Sequence, residues 1–174
     1  MTELLHRLKL SDNFRIELNT TGNHFMRRFE QNVDFGNTGT LSNPFEAFSF
    51  GVHQYKGKID SQQFEIRKKK KLFAFRSSLG KATGRYFEQG ETLIIEGEIT
   101  GFSKIFIPVF ALAILVYTTF IALAIFSKSV PIFIIPFVLV HAGMLFGIPY
   151  IIMRGAVQQL KYDLEREFHF IVKD

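Results

Sequence analysis

Two long stretches without charge constrain this 174-residue chain more than any other feature. Residues 105–126 and 130–153 contain no Asp, Glu, Lys or Arg. At about 1.5 Å per residue, each would be at least about 33 Å long as an α-helix, whereas a bilayer's hydrocarbon core is about 30 Å thick. Buried helices of soluble proteins usually keep a polar stripe. The two stretches, separated by residues 127–129, therefore predict a transmembrane helical hairpin with spans at about 105–126 and 130–153.

The basic residues beside the two spans predict their orientation. Lys104 precedes the first span, Arg154 and Lys161 follow the second, and only Lys128 lies in the connecting turn. Positively charged flanks remain on the cytoplasmic side of a membrane. Residues 1–6 contain no apolar stretch, so we expect no cleavable signal peptide. These features predict a multi-pass protein of the inner (plasma) membrane, with both termini in the cytoplasm.

The second span contains two features that bear on packing and function. Gly143 and Gly147 form a GxxxG motif, which lets another helix approach closely. That helix is either the first span of the same hairpin or the hairpin of a second copy. His141 is the intramembrane polar residue, and an ionisable group within a span is a functional candidate. The alternative is a neutral histidine hydrogen-bonded to Thr118, Thr119 or a backbone carbonyl.

Residues 1–103 read as a strand-rich α+β domain. Alternation of apolar and polar residues predicts a strand over 14–20, and helical spacing predicts a short amphipathic helix over 23–33. Turn residues then separate segments of β character. We expect four strands at 48–59, 64–76, 81–88 and 92–100. Short turns between successive strands favour an antiparallel β-meander with one face packed and one face wet.

Residues 154–174 are predicted to form a C-terminal cytoplasmic helix that packs on the sheet. Val157, Leu160, Leu164 and Phe168 fall on one helical face, which needs an apolar partner. The expected fold class is α+β: an antiparallel β-meander with a short N-terminal helix, a two-helix transmembrane hairpin over 104–153 and a C-terminal amphipathic helix. The hairpin would then be an insertion between the sheet and the helix that covers it.

Several short motifs precede the hairpin and resemble a known layout. They are residues 55–59, 64–67 and 76–79, then Gly84 and the turn at 90–92. Their order resembles a loose group of small uncharacterised bacterial membrane proteins, in which a strand-rich cytoplasmic part precedes a two-helix transmembrane hairpin. The resemblance implies this layout and carries no catalytic residues.

The sequence contains no motif that favours a particular catalytic chemistry, although an enzyme is possible. The chain has no cysteine, which excludes disulfides, thiolate metal sites and a cysteine nucleophile. Its five histidines form no metal-binding pattern, and the chain lacks the usual nucleotide-binding and nucleophile motifs. Glu96 and Glu98 share a strand face and are expected to be solvated. We therefore expect no metal, no cofactor and no catalytic residue. Residues 1–103 hold 15 basic and 12 acidic residues, too small an excess for a nucleic-acid partner.

One cluster of charge stands out, at residues 67–71, here called the basic run. It consists of Arg67, Lys68, Lys69, Lys70 and Lys71. Near a cytoplasmic leaflet each cation would contribute about 1 kcal/mol of attraction to anionic lipid headgroups. The alternative is a basic edge strand whose lysines discourage edge-to-edge pairing.

Three functions remain in competition. The first is a membrane-anchored cytoplasmic module that binds a protein partner or anionic lipid headgroups. The second is an accessory subunit or immunity-type protein whose hairpin packs against a larger membrane protein. The third is a lipid-modifying membrane enzyme, which would need polar residues to converge near the interface. The candidates for that convergence are Lys104, Tyr150, Arg154 and His169.

Overall fold

A computed structural model describes residues 2–39, 53–60, 62–69, 79–104, 106–126 and 134–173. The elements in these ranges are α1 (Thr2–Arg7), β1 (Ser11–Leu18), α2 (Gly22–Asn32), β2 (Val33–Phe35), β3 (Tyr55–Ile59), β4 (Gln63–Lys68), β5 (Lys81–Gln89), β6 (Thr92–Thr100), α3 (Phe106–Phe126) and α4 (Ile134–Lys173). The chain divides into two compact units. The sheet unit joins Met1–Phe102 with Met153–Asp174, and the hairpin unit is Ser103–Ile152.

The six strands form one mixed sheet in the order β1-β6-β5-β4-β3-β2. Four of the five strand pairs are antiparallel, but β2 runs parallel to β3. The expectation of a purely antiparallel meander is therefore wrong. The backbone turns extended at Val33, where α2 ends, and the chain continues directly into β2. Strand β2 has only three residues, too few to show an alternation of apolar and polar side chains in the sequence. Helical spacing had moreover placed Val33 at the end of the predicted helix.

Alternation along the strands places one face of the sheet in the core. Phe14, Ile16 and Leu18 of β1 are buried, as are Leu93 and Ile95 of β6. Strand β6 was predicted at its observed bounds, and β5 is one residue longer than predicted. The predicted strands at 48–59 and 64–76 are observed as the shorter β3 and β4, and parts of both predictions lie outside the described residues.

Two glycines sit in the middle of the core face, between two phenylalanines. The register aligns Phe14, Gly97, Gly84 and Phe64 in one row across four strands. The rings of Phe14 and Phe64 meet edge to face above the glycines, with centroids 6.3 Å apart. A Cβ at Gly84 would lie 2.6 Å from the Glu96 carbonyl oxygen and 2.9 Å from Phe64 Cζ. Only glycine leaves room for this close approach.

Helix α2 covers part of the core face and begins at a polar cap. The hydroxyl of Thr21 accepts a hydrogen bond from the His24 backbone N–H at 3.3 Å, as expected of an N-cap residue. Phe25 and Phe29 on its inner side are fully buried. Phe25 meets Phe168 of α4 edge to face, with centroids 5.4 Å apart. The two helices therefore share one aromatic core with the sheet.

Helix α4 is a single element of 40 residues, in which the predicted amphipathic helix continues directly from the second predicted span. Pro136 lies near the start of the described range of this helix. The helix also continues through Pro149. The stripe formed by Val157, Leu160, Leu164 and Phe168 belongs to the same buried cluster as the core face of the sheet.

Two helices among the described residues are long and apolar enough to cross a membrane, α3 and, within α4, the range Ile134–Phe170. Only the first part of α4 belongs to the hairpin unit. Large apolar side chains of α3 are exposed in the chain by itself, including Leu112 at 62% and Phe126 at 84%. A core helix of a soluble domain would bury such residues on one side. The exposure therefore fits an apolar environment outside the protein.

Candidate functional site

The sheet has a second face, opposite the core, which we call the outer face. It is concave and forms a groove of about 1120 Å³, here called the outer-face groove. Strands β1, β3, β4, β5 and β6 contribute its polar lining, which includes Asn13, Arg15, Lys58, Glu65, Thr83, Arg85, Glu96 and Glu98. The period of two that buries every second side chain in the core directs these intervening residues outward. The groove is thus the polar counterpart of the core face.

Charges of opposite sign alternate along one row of this groove. The register sets Glu96 of β6 between Arg15 of β1 and Arg85 of β5. Arg85 Nε donates to Glu96 Oε1 at 2.7 Å, whereas Arg15 pairs with Glu17 on its own strand at 3.1 Å. Glu96 therefore has one bound arginine and a second on its other side. Such a row offers both cationic and anionic groups to a ligand.

The next row of the groove is also mixed in charge. The register aligns Glu98, Thr83, Glu65 and Lys58 across β6, β5, β4 and β3. Glu65 also forms an ion pair with Lys81 at 2.9 Å. Among the described residues, no three His, Asp or Glu side chains come together as metal ligands. The groove has the chemistry of a polar binding surface.

The basic run is not a free cationic patch in its described part. Arg67 is 2% exposed. Lys68 Nζ pairs with Asp163 Oδ2 of α4 at 2.7 Å, and Lys69 pairs with Asp34 of β2. Burial lowers the pKa of the Lys69 ammonium. The other two residues of the run, Lys70 and Lys71, lie outside the described residues. Contact of this run with lipid headgroups stays a prediction.

A smaller cavity of about 210 Å³ lies beside Tyr55, between β3, the end of α2 and α4. Tyr55 is 93% buried, with a relative exposure of 7%, and its hydroxyl has no hydrogen-bond partner among the described residues. Burial, reinforced by the nearby carboxylates of Asp163 and Glu167, raises the pKa of the Tyr55 phenol. The phenol therefore remains neutral and keeps its proton well above neutral pH.

The intramembrane histidine has a partner that the sequence analysis did not name. His141 Nδ1 is hydrogen-bonded to the hydroxyl of Tyr117 on α3. The expected partners Thr118 and Thr119 instead donate to carbonyls of their own helix, Thr118 to Ile114 and Leu115 and Thr119 to Leu115. The short threonine side chains bond to backbone carbonyls of their own helix, as is common for threonine within helices. The longer Tyr117 side chain extends to His141 on α4.

The two helix-packing glycines, Gly143 and Gly147, face open space in the described part of the chain. A Cβ built at either one would meet no atom within 4 Å. Neither glycine therefore marks a close contact between α3 and α4 here. Packing of the GxxxG motif, within the hairpin or between two copies, stays a prediction.

Two of the four residues suggested for a lipid-modifying enzyme, Arg154 and His169, do not come together. Arg154 and His169 both lie on α4, 15 positions apart, so the helical rise separates them by about 22 Å. His169 Nδ1 lies 2.7 Å from the Glu165 carbonyl oxygen on its own helix. The suggestion that these residues meet at the membrane interface is therefore wrong for this pair.

Sequence reasoning found part of the groove and missed the rest. The alternation of β6 had identified Glu96 and Glu98 as sharing a face, and both line the groove. Arg15 and Arg85 were missed because only the strand order brings β1 and β5 to opposite sides of β6. The signal that was available is the charge alternation along β1, at Arg15 and Glu17.

Comparisons with known protein families, with curated proteins and with solved structures find no match for this chain. The assignment of a function therefore depends on the geometry described above.

Proposed function

We propose that this protein is a membrane-anchored module that binds a protein partner through the outer-face groove. In this proposal α3 and the first part of α4 span the inner membrane, and the sheet unit lies in the cytoplasm. The observation that carries the proposal is the groove itself, a concave surface of about 1120 Å³ lined by charged residues, which no described residue covers, on a sheet whose other face is packed.

The charge of the groove favours a protein over a lipid surface. Its lining alternates Arg15 and Arg85 with Glu96, and a second row carries Glu65 and Glu98. Anionic headgroups would meet repulsion from the carboxylates, whereas a protein surface of mixed charge has complementary groups for both signs. The ion pairs that Lys68 and Lys69 form with carboxylates of the sheet unit also argue against lipid as the main ligand.

Site-specific photo-crosslinking in intact cells tests this proposal on the full chain. A photoreactive amino acid at Thr83, in the centre of the groove, should yield a discrete crosslinked protein. The control position is Gln158, which is exposed on α4 and outside the groove. The proposal is overturned if both positions give the same products, or if Thr83 labels only lipid, which would favour the headgroup alternative.

A charge exchange in the groove separates recognition from folding. The double variant Arg85→Glu/Glu96→Arg keeps an ion pair between the two strands but inverts its direction. Because residue 96 also lies opposite Arg15, we expect the variant to lose up to about 1 kcal/mol of stability and still fold. The yield of the Thr83 crosslink should fall about tenfold or more, because like charges would then face those of the partner. An undiminished crosslink would contradict a role for these two residues.

A further inference from the structure

The free edge of β1 is a surface with a defined hydrogen-bonding pattern. β1 is the terminal strand of the sheet and pairs on one side only among the described residues, with β6. The Leu10 carbonyl oxygen accepts from the Gly101 N–H at 2.9 Å, so even-numbered residues direct their backbone groups to β6. Backbone groups alternate in direction along a strand. Residues 11, 13, 15 and 17 therefore direct theirs to the open edge.

One end of this edge is already occupied by a side chain. Lys161 Nζ of α4 donates to the Asn13 carbonyl oxygen at 3.1 Å and to Asp12 Oδ2 at 2.7 Å. This contact confirms that Asn13 faces the edge, and it limits the length available for pairing. The open part of the edge begins after Asn13 and contains Arg15 and Glu17.

We propose that the protein forms a homodimer in which β1 pairs antiparallel with β1 of a second copy, about a two-fold axis at Ile16. This register sets Arg15 of each copy opposite Glu17 of the other. The backbone N–H and C=O groups of both residues already point outward, as a hydrogen-bonded antiparallel pair requires. The two copies would then share one continuous sheet of twelve strands, with the two outer faces on the same side.

Charge and the position of Lys161 favour this register over its neighbours. A two-fold axis at Arg15 would place the Arg15 side chains of the two copies opposite each other, and an axis at Glu17 would do so for the two Glu17 side chains. Both arrangements set like charges face to face. An axis at Phe14 would require the Asn13 carbonyl that Lys161 occupies. An axis between two residues would pair a residue whose backbone groups point to the open edge with one whose backbone groups point to β6. Only the axis at Ile16 gives two complementary charge pairs.

The occupant is a second copy because the edge is complementary to itself. Arg15 and Glu17 lie on the outer face two residues apart, with side chains 57% and 60% exposed, and pair with each other at 3.1 Å in the single chain. An antiparallel copy offers the same two charges in reversed order, so each intrachain pair can be exchanged for an interchain pair. The strand of an unrelated protein would carry this complementary pair of charges only by coincidence.

Charge reversal at these two positions gives a specific test, read out as the molecular mass of the full chain in detergent. We expect the wild type to have twice the chain mass of 20.1 kDa. Arg15→Glu and Glu17→Arg alone should each weaken self-association by about tenfold or more, because like charges then face each other. The double variant Arg15→Glu/Glu17→Arg should dimerise again, and a mixture of the two single variants should form heterodimers.

Other outcomes overturn the inference. A monomeric wild type, or a dimer that both single variants retain, would remove the β1 edge from consideration. A dimer that persists in the single variants and is lost on Gly143→Leu would assign self-association to the GxxxG motif instead. Thermal unfolding of each variant controls for folding. The dimer test and the crosslinking test can fail separately, because the first measures the mass of variants at Arg15 and Glu17 and the second measures crosslinking at Thr83 in a variant at Arg85 and Glu96.

Discussion

At the scale of single residues, the polar groups around Tyr55 determine how the sheet unit responds to substitution and to pH. Asp163 of α4, buried in the core, pairs with Lys68 of β4. The Tyr55 ring lies 6.0 Å from Lys68 Nζ, and its hydroxyl has no partner among the described residues. A buried polar group is costly without a hydrogen bond, and a buried charge is costly without its counter-ion. Removal of the Tyr55 hydroxyl and removal of the Asp163 charge should therefore change the stability of the sheet unit in opposite directions.

Replacing Tyr55 with phenylalanine should leave the free energy of unfolding unchanged or raise it by up to about 1 kcal/mol, because an unsatisfied buried hydroxyl is removed. The matched control is Tyr86→Phe. The Tyr86 hydroxyl donates to the Asp60 carbonyl oxygen at 2.8 Å, so this variant should lose about 1 kcal/mol. Denaturant unfolding of both variants measures the difference, and equal losses would contradict the assignment.

The Tyr55→Phe variant should also differ from the wild type at high pH. Burial raises the pKa of the Tyr55 phenol above its ordinary value of about 10. At a pH between the pKa of Tyr55 in the unfolded chain and its higher pKa in the folded chain, the phenol is deprotonated in the unfolded chain and still protonated in the folded chain. The free energy of unfolding therefore falls as pH rises through this range. The slope approaches about 1.4 kcal/mol per pH unit for one group. We expect Tyr55→Phe to reduce the loss of stability above pH 10, and an identical pH profile would contradict it.

Asp163→Asn should destabilise the sheet unit by about 3 kcal/mol, because the Lys68 ammonium would remain largely buried without its carboxylate. The double variant Lys68→Met/Asp163→Leu removes both charges and should recover most of that loss. Unfolding of the two variants in denaturant gives the comparison. If the double variant is no more stable than Asp163→Asn, the cost arises from packing rather than from the unpaired charge.

At the scale of elements, α4 has two different environments along one continuous helix. Its C-terminal part contributes Leu160, Leu164 and Phe168 to the core of the sheet unit, whereas its first part belongs to the hairpin unit. The sequence shows this change as a shift from all-round apolar character to a narrow apolar stripe. Only the side of the helix that carries this stripe packs on protein. Residues on that side should therefore tolerate substitution much less well than residues on the opposite, exposed side.

Leu164→Ala should therefore cost about 2–5 kcal/mol, since the side chain is fully buried and truncation leaves a cavity. The neighbouring Glu165 is exposed, and Glu165→Ala should change stability by less than about 0.5 kcal/mol. Denaturant unfolding of the full chain in detergent measures both. Equal effects would mean that this part of α4 does not pack on the sheet as described.

At the scale of the whole molecule, the hairpin unit is an insertion in the sheet unit. The chain leaves the sheet unit after Phe102 and returns at Met153. A Cβ at Gly101 would lie 2.5 Å from the Met153 carbonyl oxygen, so the two ends of the insertion meet in the sheet unit. Insertions are tolerated where both ends lie close together. The isolated segment 1–103 would lack α4 and leave the core face incomplete.

A chain in which a short Gly/Ser linker replaces residues 103–152 should fold and remain in the supernatant after ultracentrifugation without detergent. The full chain should sediment with membranes and be released by detergent but not by alkaline carbonate, because apolar spans are held by lipid rather than by charge. Circular dichroism of the linked chain verifies folding. A full chain that stays in the supernatant without detergent would contradict the membrane anchor.

The sequence by itself determined the features that depend on local periodicity. Uninterrupted apolar stretches predicted α3 and the first part of α4, and alternation predicted β6. Turn residues on both sides predicted β5, and helical spacing predicted α2 and the apolar stripe that ends at Phe168. These patterns are readable because burial repeats with the period of the element. The turn between β3 and β4 was predicted to within one residue, whereas at their other ends the predicted strands extend beyond Tyr55 and Lys68.

Only the tertiary structure decided which distant residues meet. The parallel pairing of β2 with β3, the placement of Arg15 and Arg85 on either side of Glu96, and the choice of Tyr117 as the partner of His141 depend on strand order and helix rotation. The ion pair between Lys68 and Asp163 joins residues 95 positions apart. A local pattern shows that a side chain is polar and which face it occupies, but its partner is set by the packing of separate elements.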